Sequence, residues 1–412
     1  MSKIKIFVFM IVLIVVAVLV PFFWLGRDGR IDYPEYLPEV EHYEPEVPDI
    51  TEAEPEQTEP YYVYEPEEPY ELDTEYADID SPWHQAHFQN IREPHPLYED
   101  TPHGYIAVRH IKHLNDNFYN RFPFSYQEKR AAAWIVQELL AIGYAWDDIR
   151  VQEFTLSAAN RAAPSRFRAE RDGHQPFASY DGFLVINDYN YLRNTYTSQN
   201  VILTVPGQSE QVIVIGAHYD TVLVPGASDN ASGTALILEN AQRMFNIDNY
   251  YTLVYVFFGA EEIGLLGAYY YVNSLTDVEL DNILFMVNAD VLFEGPHFVY
   301  AAGYQRANRT IGENNITRQW DEIALGLRAE GIYLHPSLRI NLGSDHLAFM
   351  DAGITVMLMF GYYQVEDGGM HFRVWHSYRD CAHYIMNAWP YKIEDAMQTF
   401  SVFLEEILLA GY

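Results

Sequence analysis

Between Gly216 and Gly233 the chain reads GAHYDTVLVPGASDNASG, which places His218, Asp220 and Asp229 in one short stretch. An imidazole and two carboxylates so close together can bind a divalent cation or move a proton. Further along stand the adjacent pair Glu261 and Glu262, then Asp290 in Asn-Ala-Asp, then His376 in Trp-His-Ser-Tyr-Arg-Asp. No thiolate belongs to this set, because the only cysteine, Cys381, can join neither a disulfide nor a cysteine cluster. It is expected to be a small buried hydrophobe. Hard oxygen donors with imidazole suit Zn, Co, Mn or a similar divalent ion. Carboxylates gathered at one place repel one another unless cations neutralise them. With several present, two ions are favoured over one, since a single carboxylate can bridge ions about 3.5–4 Å apart.

The elements around these residues explain how they could meet. Gln211–Ala217, Thr252–Phe258 and Ile283–Ala289 are apolar runs of strand length, and Ala231–Phe245 and Gly264–Leu275 carry helical patterns. His218 and Asp220 follow the first run, Glu261 and Glu262 the second, and Asp290 the third. Alternating strands and helices predict an α/β fold, a three-layer αβα sandwich around a largely parallel mixed sheet. In such a sheet the carboxyl ends of the strands share one edge, where ligands bind. Helices are also expected over Tyr105–Asn115, Tyr126–Ile142 (stopped by Gly143), Arg318–Glu330, Asp345–Ala352 and Ile393–Leu409. Asp148–Leu156, Asn200–Val205, Phe298–Ala302 and Ile354–Phe360 read as strands, and Ala158–Asn187 as irregular. His84, His87, His95, His103, His110 and His113 are loosely spaced, before or on an expected surface helix, and read as non-functional.

The motifs HYD, SDNASG, GAEEIGLLGA, NAD, SDHLAF and WHSYRD occur in that order, and together they resemble the M28 family of zinc aminopeptidases from about Tyr105 to the C-terminus. The resemblance implies two zinc ions per chain. His218 and Asp290 would hold one, Glu262 and His376 the other, and Asp229 would bridge them. It also implies Glu261 as general base, Asp220 as the group orienting His218, and a cis peptide between Asp229 and Asn230. Of His371, His376 and His383, only His376 has the His-Ser/Thr-x-x-Asp spacing, supplied by Ser377 and Asp380. His346, in the Ser-Asp-His motif, is expected to be structural. The implied activity is removal of N-terminal residues from peptides with a free amino terminus. Two alternatives stand beside it: a single-zinc glutaminyl cyclase, and a non-catalytic surface domain of the same fold.

The 412-residue chain carries a formal net charge of -33, which disfavours nucleic acid and anionic membrane surfaces as partners. Lys3 and Lys5 precede Ile6–Leu25, an uninterrupted apolar run without charge or glycine. About twenty such residues span a bilayer as a helix, and no small-residue cleavage pattern follows. The expectation is a retained single-pass anchor with residues 1–5 cytoplasmic and the remainder outside the cytoplasm. From residue 26 to about 99 the chain is rich in Pro, Glu and Tyr, without Lys or Arg between Ile31 and Ile91. Proline and like charge predict an extended acidic stalk, with the peptidase-like domain over 100–412.

Overall fold

The computed structural model describes residues 101–164, 195–305, 311–337, 342–364, 370–388 and 392–412. The expected anchor at 6–25 and the expected stalk at 26–99 lie outside these residues. No helix among the described residues is long and apolar enough to cross a membrane.

In chain order the strands are β1 (Ile149–Thr155), β2 (Thr197–Val205), β3 (Val212–His218), β4 (Thr252–Phe258), β5 (Ile283–Ala289), β6 (His297–Gln305), β7 (Ile311–Gly312), β8 (His335–Ser337), β9 (Val356–Gln364) and β10 (Met370–His371). They form one mixed sheet in the order β1-β2-β4-β3-β5-β9-β6-β7, with β8 beside β6 and β10 beside β9. The parallel pairings on that path are β4 with β3, β3 with β5 and β5 with β9. Towards both ends the neighbours run antiparallel: β1 with β2, β2 with β4, β9 with β6, and β6 with β7. The sheet is therefore less parallel than the alternation of runs predicts. A hydrophobic run shows that a strand is buried and says nothing about its direction.

The period of two along the central strands divides their side chains between two apolar clusters. Ile213, Ile215 and Ala217 of β3, with Tyr255 and Phe257 of β4 and Phe285 and Val287 of β5, enter one cluster. Helices α1 (Tyr105–Asn117), α2 (Tyr126–Ile142), α4 (Ser232–Met244), α7 (Asn315–Ala329) and α10 (Lys392–Leu409) contribute to the same cluster. Val214, Val254, Val256, Phe258 and Met286 enter the other, with α3 (Leu156–Ala162), α5 (Leu266–Ser274) and α8 (His346–Asp351). Helices thus cover both faces of the sheet, and the strand ends stay free to carry polar groups. Two shorter helices, α6 (Asp277–Asn282) and α9 (Ala382–Ala388), complete the described set.

Local signals account for the element ends. Ser125 caps α2 by accepting from Glu128 N, and Gly143 ends it at φ 123°. Thr276 and Glu279 form a capping box on α6, a helix the sequence reading does not contain. Helices α3 and α9 are likewise additional: they are seven residues each, too short to show a helical period. Helix α1 is less exposed than expected, with His110 buried edge-on to Trp134 at 5.5 Å. Cys381 is half-buried rather than buried, with Tyr384 N donating to its Sγ at 3.4 Å.

Candidate metal centre

His218 is the last residue of β3, Asp290 follows directly on β5, and Glu261 and Glu262 stand three and four residues beyond β4. These strands are parallel neighbours, so their carboxyl ends open on one edge. The Asp229 loop runs from there into α4, with a cis peptide between Asp229 and Asn230. Gly233 lets that helix start against β5: a Cβ there would stand 2.2 Å from the Ala289 carbonyl oxygen. Asn230 Nδ2 donates to the same carbonyl at 2.9 Å, and its Oδ1 accepts from Gly233 N at 2.8 Å.

The imidazole and carboxylate atoms meet as two groups that share one residue. His218 Nε2 lies 3.1 Å from Asp229 Oδ1 and 3.2 Å from Asp290 Oδ1. His376 Nε2 lies 3.2 Å from Asp229 Oδ2 and 3.0 Å from Glu262 Oε2. Two ligands of a tetrahedral zinc, each at about 2.0–2.1 Å, stand roughly 3.3 Å apart. The donor set and its spacing therefore fit a divalent ion in each group. His218, Asp229 and Glu262 each offer a ligand atom within 4.8 Å of one another, and so do His218, Glu261 and Asp290. Glu261 is thus near enough to the first group that distance alone does not separate a base from a ligand.

His376 sits on no strand or helix, and other contacts fix it. Its backbone is left-handed at φ 53°, a region a non-glycine residue adopts only when its surroundings impose it. Glu294 Oε2 accepts from Val374 N at 2.8 Å, and Ser377 Oγ donates to the Val374 carbonyl at 2.8 Å. The Trp375 indole stacks on the imidazole with centroids 4.0 Å apart.

Carboxylates behind these side chains hold the loops. Asp220 Oδ1 and Oδ2 accept from Glu261 N and Glu262 N, each at 3.1 Å. Its Oδ1 is also 3.6 Å from His218 Nδ1, while its main-chain oxygen lies closer to that nitrogen, at 3.2 Å. Asp220 therefore grips the Glu261–Glu262 backbone as well as facing the imidazole. Asp380 does the same for the Asp229 loop, its Oδ1 and Oδ2 accepting from Ser228 N at 2.6 Å and Asp229 N at 3.0 Å.

The sequence reading did not single out several buried groups that serve this site. The Arg121 guanidinium donates to the carbonyls of Tyr219, Phe118, Pro225 and Gly226 at 2.6 to 3.1 Å. Burial lowers its pKa to about 10 against the opposing fields of Asp380 and Asp220, so it stays charged at neutral pH. Asp345 is fully buried, and neither of its oxygens has a hydrogen-bond partner among the described residues. Burial pushes its carboxyl well up, although the His218 field opposes this. A buried carboxyl without a partner, in the field of His218, is the kind of group a bound cation relieves. Asp380 carried a signal in its spacing from His376 and Asp345 in the SDHLAF motif, whereas nothing local distinguishes Arg121.

The charge balance points the same way. Burial would lower the His376 pKa, but the negative charges of Glu262 and Asp229 outweigh it and raise it to about 10. Burial, then the Asp229 charge, lift Glu262 to about 7. Burial also drives Glu261 well up, against the His218 charge and helped by Asp345. For Asp229, hydrogen bonds from both imidazoles overcome burial and hold the carboxylate far down. Asp229 thus stays ionised between the two histidines.

The pattern describing Peptidase family M28 matches residues 200–401. Aminopeptidase YwaD of Bacillus subtilis is 34% identical over 164 residues, 38% of this chain and 34% of that protein. Leucine aminopeptidase 2 of Arthroderma otae is 33% identical over 137 residues, 32% of this chain and 28% of that protein. The chain thus spans about a third of the length of these relatives or less. Among solved structures, a zinc aminopeptidase from Bacillus subtilis superposes with TM-score 0.56 at 17% identity, covering 75% of this chain and 96% of its own. A glutaminyl cyclase from an Acidobacteriales bacterium superposes with TM-score 0.52 at 18% identity, covering 77% of this chain and 99% of its own. At these identities the superpositions speak for the fold alone, a mixed α/β architecture that peptidases and cyclases have in common. The matched stretch contains every residue of the paired cluster, from His218 to His376, and is a Peptidase family M28 domain.

Proposed function

We propose that the chain is a two-zinc aminopeptidase that hydrolyses the first peptide bond of substrates with a free N-terminus. The observation that carries this reading is the placement of Asp229, whose two oxygens face two different imidazoles at 3.1 and 3.2 Å. His218 and Asp290 would hold one zinc, His376 and Glu262 the other, and Asp229 both. When bound, the metal pair would polarise the scissile carbonyl and make water a nucleophile at neutral pH.

The protein's own groups do the rest. Glu261 takes the proton from the attacking water and delivers it to the leaving amine. Its burial and raised pKa suit a group that must hold that proton and then give it up. Asp220 keeps Glu261 and Glu262 side by side with different tasks, one oxygen on each amide. The cyclase alternative shares the fold but needs a single zinc, and Asp229 set between two imidazoles favours the peptidase. The apolar run Ile6–Leu25 and the acidic tract after it support a membrane-anchored form with the catalytic domain outside the cytoplasm.

The test measures zinc per chain together with turnover of a panel of aminoacyl p-nitroanilides and of glutaminyl peptides. Two zinc ions, chelator-sensitive release of p-nitroaniline and no ring closure are expected. One zinc with cyclisation would select the alternative. Anchoring is read by cell fractionation: a mature protein free in the medium and starting near Gly26 would show that residues 6–25 are a cleaved signal.

A further inference from the structure

The turn that carries Glu261 and Glu262 receives its support from side chains. Four consecutive amides, at Gly259, Ala260, Glu261 and Glu262, donate in turn to Asn200 Oδ1, Glu128 Oε1, Asp220 Oδ1 and Asp220 Oδ2, each at 3.1 Å. Within that run Ala260 has a left-handed backbone at φ 56°. A residue with a Cβ does not choose that region unaided, and here it sets the direction in which the next side chain, Glu261, leaves the main chain.

The group holding Ala260 comes from far away in sequence. Glu128 lies in the first turn of α2, three residues after the cap Ser125. The Ser-x-x-Glu pattern predicts an ordinary capping box, with the glutamate turned back to the Ser125 amide. Instead, Ser125 N donates to the Phe122 carbonyl. The Glu128 carboxylate is fully buried, and it accepts from Phe124 N at 2.6 Å, Ser198 Oγ at 2.6 Å and Ala260 N at 3.1 Å. A buried carboxylate with three donors, one of them next to the glutamate pair, is more than a helix cap needs.

We infer that Glu128 is a positioning residue for the reaction: through the Ala260 amide it locks the left-handed turn that aims Glu261 at the group formed by His218 and Asp290. This rests on the reading of Glu261 as the base. The hydrogen-bond partners of the Glu128 carboxyl among the described residues are Phe124 N, Ser198 Oγ and Ala260 N, none of them a proposed metal ligand, and Glu128 lies outside the 200–401 stretch that matches the family.

Glu128→Gln is nearly isosteric but offers one acceptor oxygen in place of two. Whichever way the amide turns, either Phe124 N or Ala260 N faces an NH2 group. The experiment is a double-mutant cycle of Glu128→Gln and Glu261→Gln on the zinc-loaded full chain. It reads kcat and KM on an aminoacyl p-nitroanilide, zinc per chain, and hydrogen exchange of the peptide containing Gly259–Glu262. Glu128→Gln should lower kcat about 10- to 100-fold, the usual effect of a misaimed group, with KM and zinc content near wild type. Exchange in that peptide should quicken at least tenfold. In the Glu261→Gln background, Glu128→Gln should cost almost nothing more in kcat, because the group it positions is already disabled.

Losses that multiply in the double variant would overturn the inference and leave Glu128 a structural residue, as would unchanged exchange. If Glu261→Gln alone kept wild-type kcat, the base reading would fail and this inference with it. Failure of the inference alone looks different: Glu261→Gln would lose turnover while Glu128→Gln kept it. Should Glu128→Gln not fold, Glu128→Asp, which keeps the carboxyl group but withdraws the oxygens by one methylene, carries the same cycle.

Discussion

Asp220→Asn is the substitution whose effect follows most directly from the geometry. The side chain is fully buried, and each carboxylate oxygen accepts one amide, Glu261 N or Glu262 N, at 3.1 Å. An asparagine keeps the shape but has one acceptor oxygen, so one of the two amides must face an NH2 group. A hydrogen bond to a charged group contributes about 1.5–3 kcal/mol, and leaving the buried amide unpaired brings the expected loss to roughly 2–4 kcal/mol. In a domain of this size that lowers Tm by roughly 5–10 °C, which calorimetry on the zinc-loaded protein reads directly. The same change frees the backbone that aims both glutamates, and a displacement of about 1 Å in a reacting group costs about a hundredfold in rate. Turnover of an aminoacyl p-nitroanilide should fall by that order, and zinc should be held more weakly by the group containing Glu262. An Asp220→Asn protein with Tm within about 1 °C of wild type and turnover within about twofold would overturn this expectation. It would mean that the grip on Glu261 and Glu262 contributes nothing.

Further outcomes follow from the same site. Glu261→Gln should lower kcat by about 10²–10⁴-fold with zinc content retained, whereas Glu262→Gln should lose zinc from one group and recover activity partly when zinc is added. Equal zinc loss in the two would make Glu261 a ligand, an outcome its closeness to His218 and Asp290 leaves open. Arg121→Met removes the donors to four carbonyls, three of them in buried hydrogen bonds, so unfolding free energy should drop by about 4 kcal/mol or more in chemical denaturation. A drop under about 1 kcal/mol would deny the guanidinium its role in the loop. Zinc uptake should also release protons. With its pKa raised to about 10, His376 is protonated at neutral pH before loading and must lose that proton to bind metal. Apparent affinity should therefore rise with pH and fall as pH drops, by up to about tenfold per unit for one proton. Titration calorimetry in buffers of different ionisation enthalpy reads the release, and heats independent of buffer would contradict it.

The parts of the site that the sequence makes legible are those tied to regular elements. His218, Asp290 and the Glu261–Glu262 pair stand where apolar runs end, and the central parallel strands bring those ends together. His376 has no such anchor; only the order and spacing of the motifs singles it out from His371 and His383. What stayed hidden depends on contacts between distant segments. Arg121 reaches the Gly226 carbonyl and Glu128 the Ala260 amide across 105 and 132 residues, and the local patterns around both describe only a helix start. Glu128 even carries the signature of a different partner, the capping box. Strand direction was equally hidden, since β9 and β6 pair antiparallel although both are apolar runs like their parallel neighbours.

The proposed mechanism requires Asp229 to stand between two metal ions. Anomalous diffraction at the zinc edge from crystals of the zinc-loaded protein locates them. Two peaks about 3.5–4 Å apart are expected, one on each side of the Asp229 carboxylate. The peak beside Asp229 Oδ1 should be bonded to His218 and Asp290, and the peak beside Oδ2 to His376 and Glu262. A single peak at saturating zinc, or two peaks of which only one touches Asp229, would contradict it.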